Sequence, residues 1–200
     1  MRNGCQLIVY PDSIGGDLAG LRRFLSGEVG TAITGVHVLP FYPSSADRGF
    51  APLTYEEVDP SFGSWDDIEW IAGRFDLCVD FMLNHISAQS RWFQDYLQHG
   101  DASEYADMFI RYSRFWPNAA PTDADLARIY TRKPRPPFRE VRTDDGESER
   151  VWCTFDFEQI DLNLASVSTR EQMAEWLLSI SRRGPAMIRL DAFAYATKKA

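Results

Sequence analysis

Two charged residues near the end of the chain stand where they could take part in catalysis. Arg189 and Asp191 close an apolar run that starts at Ala186 and is predicted to form a buried strand. Because side chains alternate across a strand, both charges should lie on one face, with Leu190 on the other. Burying a cation and a carboxylate is costly. Catalytic groups of parallel barrels sit at the C-terminal ends of the strands, so this pair is a candidate site.

The elements that would position this pair alternate between strands and helices. Apolar runs predict three earlier strands, and helical spacing and a capping-box pair predict two helices between them. The predicted strands are Gln6–Tyr10, Ile33–Leu39 and Leu77–Leu83, and the predicted helices are Leu18–Leu25 and Ser64–Gly73. This succession predicts an α/β fold with a parallel sheet that helices cover on both faces.

Residues 86–165 interrupt the alternation. They contain two predicted helical pieces, Ser90–Leu97 and Glu104–Tyr112, and a loop rich in proline and arginine, Tyr130–Phe138. An insertion of this length predicts a separate subdomain. A helix over Thr169–Arg182 then restores the pattern and leads to the strand that carries Arg189 and Asp191.

Composition narrows the class of protein. With 21 basic and 29 acidic residues, the net charge of −8 argues against nucleic acid or an anionic membrane surface as the main partner. The apolar runs are too short to span a bilayer, and the first residues lack a signal-peptide core, which predicts a cytoplasmic location. Cys5, Cys78 and Cys153 lack metal-ligand spacing and are predicted to be buried free thiols.

Several segments, in matching order and spacing, carry a family resemblance. They are Leu39–Pro43, Asp47–Phe50, Gly63–Asp67, Asn84–Ser87, Thr154–Asp161 and the Arg189–Asp191 triplet. The set resembles glycoside hydrolase family 13, the α-amylase clan, and within it the sucrose phosphorylase group. Arg-x-Asp alone occurs by chance, whereas the ordered set is specific and extends over essentially the whole chain.

The resemblance implies a (β/α)8 TIM barrel, which needs roughly 250 residues or more. We expect this chain to hold its N-terminal half, with about four strands and a B domain inserted after strand 3. The expected organisation is residues 1–85 for strands 1–3, 86–165 for the B domain, and 166–200 for a helix and strand 4. The chain would be a fragment, inactive alone, because the family's general acid/base glutamate follows strand 5. Its open edges predict poor solubility or self-association.

For the chemistry, the resemblance implies that Asp191 is the nucleophile of a retaining glycoside reaction and that Arg189 supports it electrostatically. Retaining enzymes use a pair of carboxyl groups about 5–5.5 Å apart, one as nucleophile and the other as acid and base. A nearby guanidinium would keep Asp191 ionised. Taken without the surrounding motifs, the alternative is an ordinary ion pair at a strand end.

The same resemblance assigns sugar-binding positions. His85 would hydrogen-bond the outer hydroxyls of a glucosyl ring, Asp47 would hold its far end, and Phe50 would form an aromatic wall. The alternatives are a packed histidine, an aspartate in a glycine turn and a hydrophobic anchor. Further expected substrate contacts are Phe155, Gln159 and Tyr195. His37, inside a strand, is predicted to be a hydrogen-bonded core histidine.

No metal and no organic cofactor are expected. The residue matching Asn84 is a metal ligand in calcium-binding amylases, but the sucrose phosphorylase group lacks that ion. Inorganic phosphate is the expected co-substrate, and it needs cationic donors. Arg132, Lys133 and Arg135 form a candidate phosphate or acceptor loop, with a solvated charged loop as the alternative.

These residues predict a fragment of a phosphorylase that transfers an α-glucosyl unit between a small glucoside and phosphate. Tyr42–Ser45 and Ala51–Tyr55 depart from typical sucrose phosphorylases, so sucrose, sucrose 6′-phosphate, glucosylglycerol and glucosylglycerate all stay open as substrates. The alternatives are a hydrolase or transglucosidase of the same clan, or a non-catalytic barrel relative. The sequence leaves the oligomeric state open.

Overall fold

The computed structural model describes residues 3–116 and 120–199. Its strands are β1 Cys5–Val9, β2 Ile33–Val38, β3 Asp76–Met82, β4 His85–Ser87, β5 Phe138–Arg142, β6 Ser148–Trp152, β7 Gln159–Asp161 and β8 Met187–Asp191. Its α-helices are α1 Leu18–Leu25, α2 Trp65–Ala72, α3 Arg91–His99, α4 Tyr112–Phe115, α5 Asp123–Arg128 and α6 Val167–Ser181.

The chain divides into two compact units. The first comprises the residues up to Met82 together with Met173–Asp191, and the second comprises Leu83–Gln172 and the residues from Ala192 onward. The predicted strands and longer helices of the first unit lie within a few residues of their observed bounds.

The first unit is built on a parallel four-stranded sheet in the order β1-β2-β3-β8. Val36, Val38, Leu77 and Val79 of the two central strands are buried, as are the inward faces of α1 and α2. Strand–helix–strand connections of this kind generate a parallel sheet, and the four strands are half of those in a (β/α)8 barrel. The predicted fold class is therefore confirmed.

Helix starts in this unit follow the sequence signals. Ser64 and Asp67 form a capping box at the start of α2, and the side chain of Asp17 accepts a hydrogen bond from Gly20 N at the start of α1. Both devices satisfy backbone N–H groups that have no partner within a helix, which fixes where each helix begins.

The second unit contains two small antiparallel sheets. β4 pairs with β7, and β5 pairs with β6 in a hairpin. Ile110, Trp116 and Trp152 form a buried cluster, against which aromatic rings such as Phe138 pack. Residues 104–112, which were predicted to be helical, are a correction. They contain a short 3-10 turn at Ala106–Met108, and the helix α4 begins only at Tyr112.

Backbone pairing explains that wrong prediction. Phe109 forms a bridge to Leu162, and Arg111 forms one to Val151. Ile110 donates from its N–H to Asp161 O and accepts at its carbonyl from Trp152 N, so long-range pairing replaces a local helix. Cys5 is a second correction, because it is exposed on the edge strand β1, whereas Cys78 and Cys153 are buried.

Candidate functional site

The C-terminal ends of β3 and β8 carry a connected set of charged side chains. Asp80 and Arg189 are register partners in these strands, and Met82 is the partner of Asp191. Nη1 of Arg189 donates to Oδ1 of Asp80 at 2.5 Å, and its Nη2 donates to Oδ1 of Asp191 at 2.6 Å. Residues two apart share a face of a strand, so one guanidinium bridges both carboxylates.

His37 of β2 completes this set from the other side. Its Nε2 lies 2.9 Å from Oδ2 of Asp80, whose side chain is 0% exposed. The hydrogen bond to Asp80 raises the pKa of His37 from 6.5 to about 9. His37 is therefore a hydrogen-bonded core histidine, as predicted, and Asp80 lies between an imidazolium and a guanidinium.

The charge of Arg189 is stabilised in the same way. Burial disfavours its cation, but the hydrogen bond and the charge of Asp80 outweigh that effect and raise the pKa of Arg189.

The side chain of Asp191 is 21% exposed, whereas that of Asp80 is fully buried. A carboxylate held by a cation yet accessible to solvent can act as a nucleophile toward a bound electrophile.

Two buried tyrosines fix the backbone at the end of β3. The hydroxyl of Tyr55 donates to Met82 O at 2.9 Å and accepts from Met82 N at 3.1 Å. The hydroxyl of Tyr42 donates to Asp80 O at 3.3 Å. Burial raises the pKa of both tyrosines, so they stay neutral donors. Sequence reasoning did not identify Asp80, although an aspartate inside an apolar strand is itself a signal.

Asp47 and Phe50, both predicted sugar contacts, lie on a tight turn of the first unit. Asp47 has φ 53°, and its carbonyl accepts from Phe50 N at 3.1 Å. The turn packs so closely against Pro40 that a Cβ at Gly49 would lie 2.6 Å from Pro40 O, which favours glycine at this position. Asp47 lines a cavity of about 260 Å³ together with Tyr42. Left-handed backbone in a non-glycine residue often marks a ligand-binding segment.

His85 belongs to a cluster in the second unit. Its ring nitrogens face two side-chain amides: Nε2 is 3.3 Å from Gln159 Nε2, and Nδ1 is 3.3 Å from Asn84 Nδ2. The His85 ring lies 5.2 Å from that of Phe155, which lies 5.1 Å from that of Tyr195 at 75°. The structure therefore brings together four of the predicted substrate contacts, with polar nitrogens and aromatic faces side by side.

Lys198 is a largely covered cation of the second unit, with a side chain 12% exposed, that sequence reasoning missed. Its Nζ lies 2.7 Å from Asp161 Oδ2, 3.0 Å from Asn84 Oδ1 and 2.6 Å from Tyr195 O. Asp161 is fully buried and also accepts hydrogen bonds from the backbone N–H and the hydroxyl of Thr154. The oxygens of Asn84 and Asp161 thus surround an ammonium group. No local motif around Lys198 predicts this role, because its side-chain partners Asn84 and Asp161 come from distant segments.

Within the described ranges, no three or more His, Cys, Asp or Glu side chains are grouped as metal ligands would be. The expectation that the protein needs no metal and no cofactor stays a prediction. The helices described by the structure include none with the length and apolar character needed to cross a membrane.

The three cations of the candidate phosphate loop have different surroundings. Lys133 pairs with Asp156 at 2.7 Å. Arg135 donates to Phe155 O at 3.3 Å and lies over the Phe157 ring. Arg132 is exposed, and its guanidinium lies 5.7 Å from the Phe155 ring centre and 6.0 Å from that of Tyr195. Arg132 is therefore the cation of this loop that joins the aromatic rings near His85.

Comparison with known proteins gives a consistent assignment. The alpha-amylase catalytic-domain family model matches residues 5–200. The glucosylglycerol phosphorylase of Marinobacter adhaerens is 46% identical over 199 residues, which cover 100% of this chain and 41% of that protein. The sucrose phosphorylase of Streptococcus mutans is 45% identical, over 98% of this chain and 41% of that protein.

A solved structure agrees with these relatives. The crystal structure of sucrose 6F-phosphate phosphorylase from Thermoanaerobacter thermosaccharolyticum has a TM-score of 0.94 at 43% identity, over 100% of this chain and 41% of that one. The chain thus spans about 41% of the length of the curated relatives it matches. Since the family match covers nearly every residue and the four parallel strands are consistent with half a barrel, the chain belongs to the alpha-amylase catalytic-domain family, glycoside hydrolase family 13.

Proposed function

We propose that the intact protein is a glycoside phosphorylase that transfers an α-glucosyl unit between a small glucoside and inorganic phosphate, with retention of configuration. The observation that carries the proposal is the 2.6 Å contact between Arg189 and Asp191 at the end of β8. The relatives named as phosphorylases of sucrose, sucrose 6F-phosphate and glucosylglycerol support the reaction class. Both substrates are small molecules.

In the first step, the Asp191 carboxylate attacks the anomeric carbon of the glucoside. The bond from that carbon to the leaving oxygen breaks, and the oxygen takes its electron pair and a proton from a general acid. The family resemblance assigns this acid to a fifth strand. Arg189 binds Oδ1 of the nucleophile, which leaves Oδ2 to attack the sugar.

In the second step, a phosphate oxygen attacks the same carbon and the bond to Asp191 breaks. The two inversions restore the α configuration and release α-glucose 1-phosphate. A phosphate dianion needs a cation whose charge and N–H donors are not already engaged by other groups of the protein. Of the three loop cations, Lys133 has a carboxylate partner and Arg135 is bonded to backbone carbonyls, so Arg132 is the best supported phosphate contact.

Sugar recognition is assigned to two sets of residues. In the second unit, His85 and Gln159 would hydrogen-bond ring hydroxyls while Phe155 supplies an apolar face, and Tyr195 packs edge-on against that ring. In the first unit, Asp47 would accept from hydroxyls, with Phe50 beside it. In each set, hydrogen-bonding side chains beside an aromatic ring suit a neutral polyhydroxylated ring better than a charged or apolar ligand.

The test uses the intact protein with sucrose, sucrose 6′-phosphate, glucosylglycerol and glucosylglycerate, each with and without phosphate. We expect glucose 1-phosphate to accumulate only with phosphate, and the substrate turned over fastest identifies the acceptor. Equal product formation without phosphate, as free glucose or transglucosylation products, would make the protein a hydrolase or transglucosidase. No turnover of any glucoside would favour a non-catalytic relative.

A pair of variants ties the activity to the site. Asp191→Asn removes the nucleophile with little change in shape and should abolish turnover while the fold is retained. Asp66→Asn, on the exposed side of α2, is the matched control and should behave as wild type. Normal activity of Asp191→Asn would overturn the mechanism.

A further inference from the structure

His37 is one contact away from the Arg189–Asp191 pair. It shares Asp80 with Arg189: the imidazole contacts Oδ2 at 2.9 Å and the guanidinium contacts Oδ1 at 2.5 Å. Arg189 in turn contacts Asp191. The side chains of β2, β3 and β8 therefore form one continuous chain of charges, in the order His37, Asp80, Arg189, Asp191.

The net charge of these four side chains depends on whether His37 is protonated. With His37 protonated, the set holds equal numbers of cations and anions. With His37 neutral, Arg189 is the only cation of these four residues and must serve both carboxylates. Asp80 then attracts the guanidinium more strongly than Asp191 does, because Asp80 is fully buried and water does not solvate its charge. The guanidinium would then be drawn toward Asp80 and away from Asp191.

We propose that His37 is a positioning residue for the nucleophile: its imidazolium neutralises one oxygen of Asp80 and so leaves Arg189 free to hold and orient Asp191. The side chain of His37 is 11% exposed and is connected to Asp191 through Asp80 and Arg189, so it acts on the nucleophile through these two residues. The catalytic consequence rests on the proposed function, whereas the charge coupling does not.

Among the residues that the structure describes, few other groups face His37 and could change its charge. From β3, Asp80 and the thiol of Cys78 face it. From β1, its register partner is the apolar Ile8. From β8, the nearest charge along the chain of contacts is Arg189. The hydrogen bond and charge of Asp80, with a smaller contribution from Cys78, keep the pKa of His37 at about 9, above the ordinary value of 6.5.

The first experiment measures activity of the intact protein. His37→Gln retains a donor toward Asp80 but loses the charge. We expect kcat for glucosyl transfer to fall by about tenfold or more and KM to change less than about twofold, because orientation of the nucleophile is lost but sugar contacts remain.

The pH profile gives a second readout. Wild type should lose activity as pH rises through about 9, and His37→Gln should not show this decrease at alkaline pH. His99→Gln, at an exposed histidine paired with Asp95, is the matched control.

The second experiment does not need activity. Nuclear magnetic resonance of the histidine ring protons, assigned with His37→Gln, should give a His37 midpoint near 9 in wild type. Asp191→Asn should lower that midpoint, because it removes a negative charge and lets Arg189 turn to Asp80. The inference would be overturned by a His37 midpoint near the ordinary 6.5, by a midpoint that does not change in Asp191→Asn, or by an unchanged kcat in His37→Gln. A wild-type protein that turns over no glucoside defeats the proposed function alone, and the resonance data still decide the role of His37.

Discussion

Asp80 and Arg189 face each other across β3 and β8, and one oxygen of the buried carboxylate lies 2.5 Å from the guanidinium. The same guanidinium reaches Asp191 with its other nitrogen. The register of β3 and β8 therefore determines where Arg189 holds the candidate nucleophile, so a change in this register would also move Asp191.

Replacing Arg189 should destabilise the first unit. Arg189→Met leaves Asp80 buried with His37 as its remaining charged partner, and we expect a loss of about 2–3 kcal/mol in unfolding free energy. Denaturant unfolding of the intact protein measures it. Arg183→Met breaks an exposed pair with Glu69 and should cost no more than about 1 kcal/mol. Equal losses in the two variants would contradict the role given to Asp80.

Stability should also depend on pH through His37. Its folded-state pKa of about 9 is above the ordinary 6.5, so protonated His37 stabilises the fold at low pH. That contribution is complete below about pH 6.5, is lost as pH rises through about 9, and is on the order of 3 kcal/mol. Unfolding free energies of wild type and His37→Gln measured from pH 6 to 10 should converge at the alkaline end. A constant difference between them would refute the linkage.

Lys198 should be critical for the second unit. Its ammonium neutralises the fully buried Asp161, and Lys198→Met would leave that carboxylate without a cation. We expect a loss of about 3 kcal/mol or more, measured by denaturant unfolding. Lys199→Met changes the exposed neighbouring lysine and serves as the control. If the two variants have the same unfolding free energy, the buried Asp161 carboxylate is not stabilised by Lys198.

The polypeptide 1–200, produced alone, should self-associate. Apolar side chains are exposed on both edge strands of the first unit: Ile8 of β1 is 65% exposed and Leu190 of β8 is 42% exposed. Unpaired strand edges with apolar side chains favour association. Sedimentation at several concentrations should show mass rising with concentration, and Leu190→Glu should reduce the effect. A monodisperse monomer with a sharp cooperative unfolding transition would contradict this prediction.

The sequence predicted the sheet well because its strands are apolar runs with clear ends. Leu77–Leu83, for example, needs no long-range information to be recognised as a buried strand. The pair Arg189 and Asp191 was predicted to share a face from alternation alone, and the observed contact agrees. The capping box of Ser64 and Asp67 is likewise a local signal, which the structure confirms.

What sequence reasoning missed depends on contacts between distant segments. Ile110 lies in a predicted helix, yet its backbone pairs with Trp152 and Asp161. Lys198 lies in no motif, and it gains its role only where Asp161 and Asn84 approach it from distant parts of the chain. Local periodicity cannot report such partners, because they are fixed by packing and not by spacing along the chain.

The most direct test of the central claim is to trap the glucosyl-enzyme on Asp191. The intact protein is mixed with an activated α-glucosyl donor in the absence of phosphate, quenched in acid and digested, and the peptides are analysed by mass spectrometry. We predict one added glucosyl group on the peptide containing Asp191, its loss when phosphate is supplied before quenching, and no adduct in Asp191→Asn. An active enzyme with an adduct on another residue, or with no adduct under conditions of turnover, would contradict the assignment of Asp191 as the nucleophile.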